Sequence, residues 1–257
     1  MILETIAVAF AMFSAIPVPQ PVWNEKNMRY ALCAFPLVGV ICGLSWFGWA
    51  YLVDKLEISV FLQGAGFCLF PIAVTGGIHL DGYADTCDAL SSYGSHEKRQ
   101  EILKDPHCGA FAVIRLCTYF VAWFALCSTF RPVKENLFCM GIGFVLSRTL
   151  SGLSVSVFSL AKDTGLAHTF ASAADKGRVR NFLMVLAVLL SLSLIWIGKI
   201  KGIAMILAVL FIFGYYYKVS KKEFGGISGD LAGWFLQKAE IWMLAALVLC
   251  QLLEGKV

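Results

Sequence analysis

Uncharged apolar runs recur along the chain at lengths that suit membrane helices. Crossing the hydrocarbon core takes about 20 apolar residues in helical form. On that measure eight segments stand out: residues 5–19, 30–53, 58–78, 108–130, 136–160, 182–198, 202–217 and 241–253. Arg115 and Arg148 interrupt the fourth and fifth. The first is the least certain span, because Pro17, Pro19 and Pro21 crowd its end; it either crosses the membrane or lies on or re-enters it. The pattern predicts an all-α fold, a polytopic integral membrane helical bundle of about seven to eight transmembrane helices. The whole chain, 1–257, reads as a single membrane domain.

Composition supports this reading. Residues are 59% hydrophobic and 15% charged, against roughly 25% charged in an ordinary soluble domain. A cytosolic globular enzyme and intrinsic disorder are both excluded. Lys and Arg number 21 against 17 Asp and Glu. So mild an excess needs no nucleic-acid partner, because cytoplasmic membrane loops carry one by default. None of the nine Cys forms a C-x-x-C pair, so they read as small buried hydrophobes. The N-terminus has no basic stretch or small-residue cleavage site, and reads as a membrane segment instead of a cleaved signal.

The basic residues also predict sidedness. With connections numbered in chain order, thirteen basic residues fall in the odd ones and six in the even ones and the C-terminus. The odd connections are therefore expected in the cytoplasm, and the short even ones on the far side. Everything long and polar then faces one compartment, the bilayer being the chain's first partner. The expected location is the cytoplasmic (inner) membrane.

The third connection carries the chemistry. Residues 79–107 form an acidic segment that opens His79-Leu80-Asp81-Gly82-Tyr83-Ala84-Asp85-Thr86-Cys87-Asp88. On a helix Asp81, Asp85 and Asp88 fall within an arc of roughly 60°. Like charges so placed repel, and proximity to hydrocarbon raises their cost. A bound hard cation, Mg²⁺ or Mn²⁺, would relieve both, with a substrate phosphate completing its shell. The plainer alternative is an amphipathic helix with its acids in water. His79 lies on the opposite face. Gly76 and Gly77 either let a ligand approach the backbone or simply break the helix. Arg99 and Lys104 are candidates for diphosphate contact, and Asp105 is either a helix N-cap before Pro106 or a further metal ligand. The run Gly225-Gly226-Ile227-Ser228-Gly229-Asp230 is either an anion-binding concavity or a turn with Asp230 as N-cap. Arg115 and Arg148 are intramembrane charges, and so functional candidates with snorkelling as the alternative. Together these features point to metal-assisted transfer on a diphosphate-bearing substrate.

At these residues the chain closely resembles the cobalamin synthase family, the adenosylcobinamide-GDP ribazoletransferases. The family signature T-G-G-x-H-L-D-G-x-A-D-T-x-D is matched throughout residues 75–88. Arg99, Glu101-Ile102-Leu103-Lys104-Asp105 and Gly109-Ala110-Phe111 are similar to its continuation, R-x-x-E-I-M-K-D-x-x-x-G-x-F. Ile16-Pro17-Val18-Pro19, Phe35-Pro36-Leu37-Val38-Gly39 and residues 225–230 resemble three further motifs, in order along the chain. The chain departs where Ser14-Ala15 stands for a Thr-Arg pair, Ser228 for Thr, and Lys162 for an expected Arg. The resemblance implies an Mg²⁺-dependent enzyme of the cytoplasmic membrane. Its substrates would be adenosylcobinamide-GDP and α-ribazole or its 5′-phosphate, and its products adenosylcobalamin or its phosphate, and GMP. It implies metal ligands at Asp81, Asp85 and Asp88, one of them a base toward the ribazole hydroxyl, with Asp105 as an additional candidate. Arg99, Lys104, Arg148, Gly76, Gly77 and Asp230 would contact substrate. An intramembrane prenyltransferase and a cation-coupled transporter are the competing readings, and the oligomeric state is left open.

Overall fold

The structure, a computed structural model, describes residues 2–92, 94–105, 107–162 and 164–254. Helix α1 (Ile2–Phe13) and the single turn α2 (Glu25–Met28) lead into α3 (Ala31–Lys55). Then come α4 (Val60–Thr75), α5 (Ile78–Ser91), α6 (His96–Ile102), α7 (Ala110–Thr129) and α8 (Lys134–Val157). The chain continues through α9 (Leu166–Ala173), α10 (Lys176–Gly198), α11 (Ile200–Phe224) and α12 (Gly229–Glu254). Local capping sets several starts. The side chains of Asn24, Ser95 and Asp175 accept from the backbone N–H three residues on, at the heads of α2, α6 and α10.

Six helices, α3, α7, α8, α10, α11 and α12, are long and apolar enough to cross a membrane, and α4 with α5 makes a seventh if counted as one broken span. The first apolar run does not supply an eighth. Helix α1 has 12 residues, about 18 Å of rise, and stops where the proline-rich stretch begins. The last span is longer than the uncharged run predicts. It starts at Gly229, not near residue 241, because Gln237 and Glu240 have partners inside the bundle: Tyr119 Oη donates to Gln237 Oε1 at 2.5 Å, and Arg148 Nη1 to Glu240 Oε1 at 2.6 Å.

Lipid is as apolar as the side chains, so packing and not exclusion from water must hold such helices together. Helices α3 and α8 meet closely enough that a Cβ on Gly43 would sit 3.1 Å from Gly141 Cα. Beside this seam Trp46 is fully buried, its ring centroid 4.6 Å from Phe67 and 5.2 Å from both Phe130 and Phe144. Its indole N–H donates to Phe67 O at 3.0 Å, so the ring is buried with its one polar group satisfied.

The polar connections gather at two ends. At one, Arg29 pairs with Asp175 at 3.1 Å, Arg99 with Glu223 at 2.5 Å, and Lys162 Nζ donates to Gln100 O at 3.4 Å. A parallel bridge joins Leu160 to Ile227 there. These contacts tie the first, third, fifth and seventh connections together. At the opposite end Lys201 pairs with Glu135 at 2.7 Å and Glu254 at 3.0 Å.

Candidate active site

Helix α5 is aimed by a double glycine. Gly76 (φ +64°) and Gly77 (φ +79°) are both left-handed, a conformation that costs other residues about 1–2 kcal/mol each. Two in succession turn the chain by 96° between α4 and α5. Of the two sequence readings, the helix break is therefore the one the backbone uses, and Gly77 also borders an open cavity. After the bend α5 runs across the head of α12, where a Cβ on Gly82 would be 2.8 Å from Asp230 Cα. The close crossing places Asp230 beside the aspartates of α5.

Asp81 is exposed, and Asp85, Asp88 and Asp230 are half-buried. Burial, and then the neighbouring carboxylates of Asp81, Asp230 and Asp88, push the Asp85 carboxyl up to about 6. None of the four forms an ion pair among the described residues. One cation, Lys162, is close enough to Asp230 to feel its charge, and Lys104 is close to Lys162. Burial and then Lys104 hold the Lys162 amine below the usual lysine range, against the opposing pull of Asp230. Lys162 thus feels both Lys104 and Asp230.

Asp88 has a second attachment. One of its oxygens accepts from Ala112 N at 3.3 Å, and its carboxylate lies over Gly109, the residue before α7. It caps a neighbouring helix, a role the i, i+4, i+7 spacing does not reveal. Asp230 is not the N-cap of α12. Ser228 is: its Oγ accepts from Leu231 N at 3.3 Å and donates to Asp230 Oδ2 at 3.4 Å. The glycines before it dock backbone on backbone, with Ile227 N donating to Ser159 O and Ala161 N to Ile227 O, each at 2.9 Å.

Three predicted residues lie elsewhere. Asp105 does not cap α7, which begins at Ala110; it accepts from His107 N at 3.0 Å in a local turn. Pro106 lies outside the described residues, as does Asp163. Arg148 is 1% exposed and is bonded to Glu240, to Phe144 O and to Cys42 Sγ, so it is no surface contact for a soluble diphosphate. Arg99, held by Glu223, faces a cavity on the other side of α5. His79 is buried beside Phe35 with its Nε2 unpartnered; burial and then nearby Arg148 hold the ring neutral.

Two cavities flank the acids. One of about 260 Å³ is walled by Phe13, Phe35 and Phe170, with Asp81 and Asp230 on its polar side. The other, about 510 Å³ and open, is bordered by Gly76, Gly77, Asp81, Asp85 and Phe120. Asp81 borders both. Among the described residues, no three His, Cys, Asp or Glu side chains already form an ion-holding group. In donor type the acids nonetheless suit a hard divalent ion, being oxygen ligands only. An ion would also offset the mutual repulsion that raises Asp85.

The family model described as cobalamin-5-phosphate synthase matches residues 5–248. An adenosylcobinamide-GDP ribazoletransferase of Lachnoclostridium phytofermentans is 41% identical over 97% of this chain and 95% of its own. Proteins of the same name from Clostridium botulinum (strain Alaska E43 / Type E3) and Treponema denticola are each 34% identical over 92% of this chain, covering 93% and 94% of their own lengths. No solved structure matches. With the match running through every helix that builds the acid site, the chain belongs to the cobalamin-5-phosphate synthase family.

Proposed function

We propose that this protein joins adenosylcobinamide-GDP to α-ribazole or its 5′-phosphate, releasing GMP, with Mg²⁺ held by Asp81, Asp85 and Asp230 and by the free oxygen of Asp88. The observation that carries the reading is the convergence of four carboxylates from two elements with no cation paired to them. The enzyme names of the relatives supply the substrates. A ribazole hydroxyl oxygen forms a new bond to the phosphorus that carries cobinamide, the bond from that phosphorus to the GMP oxygen breaks, and the hydroxyl proton passes to a carboxylate of the set. The bound ion would supply charge stabilisation on the phosphate oxygens. Lys162, which feels Asp230, and Lys104 near it would hold the diphosphate, and the aromatic-walled cavity beside Asp81 suits a flat base. On this reading the acid end of the bundle faces the cytoplasm, and the bundle sits in the cytoplasmic membrane.

The test is GMP and cobamide formation by the purified protein, with EDTA as control. Asp81→Asn and Asp85→Asn should each lower turnover by about a hundredfold or more, with unfolding midpoints at or above the parent's. Unchanged turnover in both variants overturns the metal assignment. Release of pyrophosphate from a prenyl diphosphate, or ion flux without a covalent product, would move the protein to the prenyl-transfer or transport reading.

A further inference from the structure

Behind α5, on the side away from its aspartates, lies a cavity of about 670 Å³ between α5, α6, α7, α11 and α12. On a helix Tyr83 and Cys87, which line it, point more than 120° from the mean direction of Asp81 and Asp85. Its walls carry five cations, Arg99, Arg115, Lys218, Lys222 and Lys238, against one carboxylate, Glu223. That carboxylate is already shared by Arg99 at 2.5 Å and Lys222 at 3.4 Å. Arg115, Lys218 and Lys238 form no ion pair among the described residues.

This is more than a basic rim. Arg115 sits in the second turn of α7 and Lys238 in the third turn of α12, where a charge near hydrocarbon is costly unless it serves a purpose. Lys238 Nζ lies 5.1 Å from the ring centre of Trp234 and 6.0 Å from that of Tyr215, which fixes where its charge sits. Two donors in the wall are orphaned. Trp234 Nε1 and Arg99 Nε are buried with no hydrogen-bond partner. Indole and guanidinium nitrogens can only donate. A cavity of unpaired cations and orphaned donors, whose one carboxylate is already shared by two cations, matches one ligand chemistry: a multiply oxygenated anion. Apolar walls from Leu90 and Phe111 stand beside the cations, so the anion would belong to a molecule with an apolar part.

We propose that this cavity is a second binding site, separate from the acid face, for a phosphate group, brought either by an anionic phospholipid or by a soluble phosphate ester. The proposal does not depend on the transfer reaction, since none of its observations involves the aspartates.

The test is thermal unfolding of the full-length protein in neutral detergent, titrated with inorganic phosphate, with short-chain phosphatidylglycerol, and with short-chain phosphatidylcholine as the zwitterionic control. The parent should be stabilised by at least one of the two anions. Stabilisation by phosphatidylglycerol alone assigns the lipid source, and stabilisation by inorganic phosphate assigns a soluble ester. Arg115→Gln with Lys238→Gln should weaken the midpoint concentration by roughly tenfold per cation removed. If that pair fails to fold, Lys218→Gln with Lys222→Gln at the exposed rim should still weaken it. Absence of stabilisation by either anion, or titrations unchanged in the folded variants, overturns the proposal.

Discussion

The aspartates of α5 and the Arg148–Glu240 pair are two concentrations of charge within the bundle, and they are handled in opposite ways. Arg148 and Glu240 are 1% and 3% exposed, 2.6 Å apart, with Ser147 Oγ and Phe144 O taking up further bonds. Charge there is balanced within the protein and closed to ligands. Around Asp85 burial, and then the neighbouring carboxylates, push its carboxyl up to about 6, with no cation paired to it among the described residues. Charge there is left unbalanced and open to two cavities. An internally neutralised pair serves the fold; a like-charged set beside a cavity calls for something to bind.

The sharpest way to break the comparison is to unbalance the closed pair. Glu240→Ala should cost about 3–5 kcal/mol, because it strands a buried guanidinium. The double change Arg148→Met, Glu240→Leu should recover much of that loss, since an apolar pair of similar volume carries no desolvation penalty. Unfolding midpoints in one detergent would check both. A Glu240→Ala protein as stable as the parent would mean that Arg148 has another partner, and the contrast with α5 would fail.

The bundle and the acid helix were legible in the sequence because both rest on periodicity. Apolar length marks the spans, and the i, i+4, i+7 spacing puts Asp81, Asp85 and Asp88 on one face. The grouping of the odd connections was legible from their Lys and Arg. What escaped depends on partners distant in the chain. Glu240 reads as a charge that ends an apolar run until Arg148, 92 residues away, is seen beside it. Asp230 joins the acids only because Gly82 lets α5 cross α12 at contact distance. Asp88 looks identical to its neighbours on the helix and is set apart only by Ala112 N, in another element. Arg99 and Lys104, five residues apart, share a basic run, yet Arg99 lines the cavity behind α5 while Lys104 acts on Lys162.

Asp88 gives a finer division within the acid set. If capping α7 is its main task, Asp88→Ala should cost about 1 kcal/mol and Asp88→Asn distinctly less, since Asn accepts a backbone N–H about as well. Asp88→Asn should then keep far more turnover than Asp81→Asn. Equal loss of turnover in the two Asn variants, with Asp88→Asn fully stable, would make Asp88 a ligand as indispensable as Asp81.

The smallest effect is a slope in pH, and it separates the acids with and without an ion. The Asp85 carboxyl lies at about 6 in the fold against an ordinary 3.8. A raised carboxyl means that the folded state holds a proton the unfolded chain has already released. In EDTA this favours folding most at low pH, and the contribution is lost as pH rises from about 4 through about 6. Mg²⁺ should remove the trend above about pH 5, because an ion bound to these carboxylates displaces that proton, and the stabilisation it adds should grow as pH rises through about 6 and level off above. Unfolding midpoints measured at about pH 5 and about pH 7, with EDTA and with saturating Mg²⁺, would show the gap between the two conditions widening with pH. Asp85→Asn should flatten the EDTA slope. A stabilisation by Mg²⁺ equal at both pH values, and unaltered in Asp85→Asn, would place the ion elsewhere and leave the acids of α5 without the occupant their repulsion calls for.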